Sequence, residues 1–377
     1  MVLHKGETYY DRVRSTGFVY GHVIAFDTVK PVVTKGWTSE EISKVALLNT
    51  LYTAYTLLSN QTDAKQFIAS TLLFYRQMNP EGFNLFRKVL PGNSASAELE
   101  KIIDERVQTN DNIISKNFSH ILTNALLFED VLAYRQYLLH GAIPHNYLKK
   151  LEETIVSIVT LALSTKSQKS NYDELLVKLF EASVRYTKFS KVNIEHLEAL
   201  ELHYFSAAIE KYYLVDMAGL ALWSDGHLDQ DEKPFLYKLA GMMHVDSDFV
   251  DRSIKATDEF ISRYKHEIPY FQYSNPVKHF YDHATQMVVL LISRNKNRLI
   301  KELSNNRDLM VLLTHSTHRS LEDKEKKKVK KQLLEICKTV PSLTIFLLPG
   351  GSLLVPILIK FIPKMLPSAF NENLDDA

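Results

Sequence analysis

Four carboxylates, Asp225, Asp229, Asp231 and Glu232, crowd one short turn between two apolar stretches. Clustered side-chain oxygens are what a hard cation such as Ca²⁺ or Mg²⁺ needs, so this turn is the candidate metal site. A simpler role competes with it: Asp225-Gly226 makes the turn, and the other acids cap the next helix and offset its positive end. The spacing is not that of an EF-hand loop, because the glycine comes second rather than sixth and no glutamate stands at position twelve. His279 and His283 lie four apart with Asp282 beside them, a spacing that could seat zinc. Phe280 stands where a zincin would carry its glutamate base, and no third ligand is evident, so a satisfied or solvated pair is the better reading. His315 and His318 read the same way. The sequence has no glycine-rich phosphate loop, nucleophile elbow or Cys–His pair. Its single cysteine, Cys337, excludes an internal disulfide and a multi-thiolate metal centre. The chain reads as non-catalytic.

A second concentration of charge is cationic. Ser320-Leu321-Glu322-Asp323 has the form of a capping box and opens a helix carrying Lys324, Lys326, Lys327, Lys328, Lys330 and Lys331. Val329, Leu333, Ile336, Cys337 and Val340 form a narrow apolar stripe along it. One reading is a solvated face on a packed helix; the other is attraction to an anionic surface, either lipid headgroups or ribosomal RNA. The stretch that follows, Thr339 to Ile359, contains no charged residue. A helix of about 20 residues spans the roughly 30 Å hydrocarbon core, so the stretch is just long enough. Pro349-Gly350-Gly351 divides it into apolar halves near Leu343–Leu348 and Leu353–Ile362. Insertion would rest on Leu343, Ile345, Phe346, Leu347, Leu348, Leu353, Leu354, Val355, Ile357, Leu358 and Ile359. A kinked span, a re-entrant hairpin and a buried hairpin all fit this pattern. Membrane contact is preferred, with the lysines held on the cytoplasmic side.

The elements that must position these groups are mostly helices. The chain has 377 residues, 45% of them hydrophobic and 24% charged, which excludes global disorder and gives a prior of two to three domains. A net charge of +1 removes the whole-chain case for a nucleic-acid coat protein, and DNA is not an expected partner. With only 12 Gly and 12 Pro, long helices are favoured over sandwiches or a Gly-rich nucleotide-binding sheet. Gly17 to Lys35 is the one β-like stretch, compatible with a short β-hairpin near residues 17–35. Thr38 and Glu41 form a capping box ahead of helically spaced Ile42, Val45, Leu48 and Leu51. Further helices are expected over Asp63–Met78, from Ile114 to near Gly141, over Tyr147–Ser164, over Asp173–Phe189 and over Glu198–Trp223. Pro234 phases the helix after the acidic turn, with Asp231 as its N-cap. Met1 to Asp11 is polar, so no secretory signal peptide is expected. The expected domains are residues 1–190, 191–315 and 316–377.

Two resemblances sharpen this reading. ALWSDGHLDQDEKPFLYKLAGMMHVD resembles the helix–turn–helix core of TerB-like modules, chiefly at Asp225, Gly226, Leu228 and Glu232. That resemblance implies a helical domain whose acidic turn binds metal. SLEDKEKKKVKKQLLEICKTVPSLTIFLLPGGSLLVPILIKFIPKMLPSAF resembles the membrane segment of the Letm-type (leucine-zipper/EF-hand-containing transmembrane) family. Lys360, Phe361, Pro363, Met365, Leu366, Pro367, Ser368 and Phe370 match its closing signature, with Ile362 inserted where Pro more often follows Phe directly. Together the two segments make the chain similar to bacterial Letm-related biofilm-associated proteins. The family implies membrane residence, cation exchange against protons and ribosome binding, with the ribosome-binding region mainly after that signature. Thr339–Ile359 departs from an exchanger in offering no intramembrane carboxylate. The expectation is therefore a non-catalytic, membrane-associated protein at the cytoplasmic face of a bacterial inner membrane. Its role would be cation homeostasis or envelope biogenesis, with lipid, ribosomes and a second copy of the chain as candidate partners. The alternative is a soluble metal-sensing interaction protein built on the acidic turn.

Overall fold

Helix boundaries in the first part of the chain follow from local capping chemistry. The Thr8 hydroxyl accepts the Asp11 N–H while the Asp11 carboxylate accepts the Thr8 N–H, and α1 (Tyr9–Ser15) begins there. The box expected at Thr38 and Glu41 forms in the same reciprocal way and opens α2 (Ser39–Ser59). The computed structural model describes residues 8–28, 32–78, 94–107, 124–165, 196–223, 228–268, 289–339, 358–359 and 362. Within them follow α3 (Ala64–Met78), α4 (Ala95–Val107), α5 (Phe128–His140) and α6 (Tyr147–Ser164). Gly141 closes α5 in the left-handed region at φ 74°, as its position after the last apolar residue predicts. Then come α7 (Ala208–Leu222), α8 (Lys233–Met242), α9 (Ser247–Tyr264), α10 (Lys296–Ser304), α11 (Arg307–His318) and α12 (Asp323–Thr339). The helix expected over Asp173–Phe189 lies outside the described residues.

Two local expectations are corrected. No strand is present among the described residues, and the hairpin expected near 17–35 is replaced by a 3-10 turn at Phe18–Tyr20 with irregular chain after it. Of the β-branched and aromatic side chains that suggested a strand, Phe18, Val19 and Tyr20 are driven into the core, all at most 2% exposed, while Ile24, Val32 and Val33 are exposed. Gly17 and Gly21 flank the turn at φ 78° and 74°, and a Cβ on Gly17 would lie 2.1 Å from the His22 carbonyl oxygen. The single helix expected over Glu198–Trp223 is broken. Leu197–Ala199 and Leu202–Tyr204 are 3-10 turns, and α7 starts only at Ala208, where the Glu210 carboxylate accepts the Ala207 N–H at 3.0 Å.

The described residues divide into two units, 8–268 and 289–362. In the first, α2 packs on α5 and α4, α3 on α4, α6 on α7, and α7 on α8 and α9. One apolar cluster runs from Tyr10 to Ile268, so residue 190 does not separate two cores. In the second unit α10, α11 and α12 pack on one another, and the expected boundary at 315/316 falls inside α11. Among the described residues no helix is long and apolar enough to cross a membrane.

Candidate functional site

The basic helix α12 is held in place by its apolar side and by a clasp of ion pairs. Val329, Leu333 and Ile336 are buried at 0%, 1% and 7% exposure, and α10 and α11 turn Leu299, Leu303, Leu309, Met310 and Leu313 inward. At 100° per residue, Val329, Leu333 and Ile336 occupy a sector of about 60°, which is the stripe expected from the sequence. The Cys337 side chain and Val340 lie outside the described residues. The helix opens two residues later than the Ser320 box would place it. The Glu325 carboxylate accepts the Glu322 N–H at 2.8 Å, while Arg319 donates to both Glu325 oxygens at 2.7 and 2.6 Å. The Arg319 hydrogen bonds, with the Glu322 N–H behind them, hold the Glu325 carboxyl down at about 2. Lys328 donates to Asp308 at 2.6 Å, tying α12 back to the start of α11 and keeping the Asp308 carboxyl below its usual value.

The six lysines expected to meet an anionic surface are all exposed. Lys326 pairs with Asp323 at 3.2 Å, and farther along the helix Lys338 pairs with Glu335 at 2.6 Å. Lys324, Lys327, Lys330 and Lys331 make no ion pair among the described residues. The arrangement leaves a cationic face that is solvated, anchored from behind and without an aromatic side chain.

The other candidates fare differently. Glu232 is 3% exposed and forms the N-cap position of α8, with its carboxylate accepting the Asp229 N–H at 3.0 Å. That places the cap one residue beyond Asp231. Asp229 and Asp231 point to solvent while Glu232 turns inward, and Asp225 lies outside the described residues. Among the described residues no group of three or more His, Cys, Asp or Glu side chains could hold a metal ion. His279, Asp282 and His283 and the His318 side chain also lie outside them; His315 Nδ1 is 3.5 Å from Arg319 Nη2. Of the apolar tail, Leu343, Ile345, Phe346, Leu347, Leu348, Leu353, Leu354, Val355 and Ile357 lie outside the described residues. Leu358 is 1% exposed, Ile359 is half-buried, and Ile362 is 1% exposed.

Sequence reasoning missed a set of buried carboxylates in the first unit. Asp216 on α7 is 1% exposed and accepts the Tyr10 hydroxyl at 2.6 Å and the Ser253 hydroxyl, with Arg14 Nη1 at 3.7 Å. Burial pushes the Asp216 carboxyl up from its ordinary value, against the pull of Arg14 and the two hydroxyls. Asp130 on α5 receives Arg106 through two donors and the Tyr75 hydroxyl at 2.9 Å. Glu210 receives the Tyr147 hydroxyl and Gln136 Nε2, each at 2.7 Å. These groups tie helices together; their oxygens face donors from neighbouring helices. An acid inside an apolar run, as in Leu214-Val215-Asp216-Met217, was the available signal.

Residues 321–377 match the family model described as LETM1-like, RBD. The LETM1-like match therefore begins at the basic helix itself, upstream of the Pro-x-Met-Leu-Pro signature after which the ribosome-binding region was expected. No curated protein and no solved structure matches the chain.

Proposed function

We propose that the protein is a non-catalytic LETM1-like ribosome-contacting protein whose contact is the cationic face of α12. One observation carries the reading: all six lysines are exposed, on a helix whose apolar stripe is buried, inside the LETM1-like match. Lysines that neutralise phosphates release condensed counterions, so contacts from Lys324, Lys327, Lys330 and Lys331, which make no ion pair among the described residues, give a slope of log K against log salt of about −3.6. Between 50 and 200 mM salt the affinity then falls roughly a hundredfold. Co-sedimentation of the full chain with purified ribosomes across that range tests the reading. Salt-independent pelleting, or unchanged pelleting after all six lysines become glutamine, refutes it.

A second reading places the same protein at the cytoplasmic face of a membrane, in support of cation homeostasis. It is favoured by the uncharged run from Thr339 to Ile359 directly after the lysines. Leu358 and Ile362 are buried, which supports a protein-packed position for those two side chains. Quantitative release of the native protein by alkaline carbonate extraction would remove the integral form of this reading.

A further inference from the structure

We infer that the lysines of α12 are divided between two tasks, with Lys324, Lys327 and Lys331 forming a stripe that binds the phosphate backbone of ribosomal RNA. This rests on the ribosome-contact reading and names the partner within it. At 100° per residue, these three lysines fall within a sector of about 60°, about 180° round the helix from buried Val329, Leu333 and Ile336; Lys338 falls in the same sector but is paired with Glu335. They span about 10 Å of helix axis. None has an ion-pair partner among the described residues, whereas Lys326, Lys328 and Lys338 are each held by an acid of this chain. Lys328 belongs to the clasp that fixes α12 on α11. Lys330 flanks the stripe.

Three arguments favour RNA phosphate over the other polyanions. A protein partner would need an aromatic or arginine anchor, because lysine is depleted from protein interfaces and rarely forms their hot spots. From Asp323 to Thr339 the helix carries no Trp, Tyr, Phe or Arg. Insertion into a lipid surface would need the apolar side of the helix turned outward, and here that side is buried in protein. Lysine is a point charge on a flexible stem, suited to phosphate, and without stacking groups or a bidentate fork the stripe reads backbone rather than base. The contact is thus sequence-tolerant and salt-sensitive.

The test measures binding of the full chain to deproteinised ribosomal RNA by fluorescence anisotropy over a salt series. Pelleting with intact ribosomes and with equimolar phosphatidylcholine–phosphatidylglycerol vesicles is measured alongside. The variants are Lys324→Gln/Lys327→Gln/Lys331→Gln, the same three positions changed to Arg, and Lys326→Gln/Lys338→Gln as a control on paired lysines. Circular dichroism checks that each variant keeps the wild-type melting curve. The glutamine triple is expected to flatten the salt slope on RNA by about 2–3, at about 0.9 per lysine, and to weaken ribosome pelleting in parallel. The arginine triple retains binding, and the control double shifts the slope by less than about 1. A glutamine triple with the wild-type slope overturns the assignment, as does an equal effect per charge from the control. So does binding confined to the vesicles. Wild-type protein that pellets with ribosomes but ignores the deproteinised RNA overturns this inference and leaves ribosome contact standing; failure to pellet at all removes both.

Discussion

Replacing Asp216 by alanine is expected to cost about 3–5 kcal/mol of folding stability. The figure follows from what the carboxylate leaves behind. Tyr10 donates to it from 2.6 Å and Ser253 donates to its other oxygen, both in a core where Asp216 is 1% exposed. A buried hydroxyl left without an acceptor costs about 1–3 kcal/mol. Arg14, 8% exposed, loses a counter-charge at 3.7 Å but keeps Asp11 at 2.9 Å, so its contribution is the smaller one. Against a usual domain stability of about 5–15 kcal/mol, the loss is large enough to read in urea. A double-mutant cycle isolates the hydrogen bond. Tyr10→Phe is expected to destabilise the wild type by about 1.5–3 kcal/mol and the Asp216→Ala background hardly at all. If the two changes add within about 0.5 kcal/mol, the Tyr10–Asp216 contact does not exist in solution and the docking of α1 on α7 is wrong.

Three other outcomes are expected. The Asp216 carboxyl is raised from 3.8, so its contribution is complete below the unfolded value and is lost as pH rises through the folded one; urea midpoints of Asp216→Asn against wild type should show that limb flattened. Glu325 should titrate near 2 in carbonyl-detected NMR, and Arg319→Gln should move it back toward 4.5. Gly17→Ala forces a Cβ to within 2.1 Å of the His22 carbonyl oxygen at φ 78°, and should lower stability by about 2–4 kcal/mol in thermal melts.

What the sequence disclosed was local. The Thr38–Glu41 box, the glycine after α5 and the limits of α6 depend on residues within one or two turns of each other, and all are present in the structure. Phe18-Val19-Tyr20 misled because a buried 3-10 plug between glycines needs the same side chains as a strand. The basic helix was legible from its charge. Its clasp was not, because Asp308 lies twenty residues from Lys328 and only the folded hairpin brings them together. The same holds for Asp216, whose acid inside an apolar run signalled burial but whose donors lie 206 and 37 residues away. The acidic turn illustrates the converse: four carboxylates close in sequence include one, Glu232, that is buried on the Asp229 N–H while Asp229 and Asp231 are exposed.

The depth at which α1 and the Phe18–Tyr20 plug sit has a bearing on synthesis. Tyr10 is anchored by Asp216, and Tyr20 by Thr257 at 3.3 Å, 237 residues downstream. At about 5–20 residues per second, a nascent chain would carry these aromatic groups without their partners for tens of seconds. Helix α1 is made well before its partners and must be among the latest pieces to dock. Any tag or chaperone that shields it must let go only after residue 257 has left the exit tunnel.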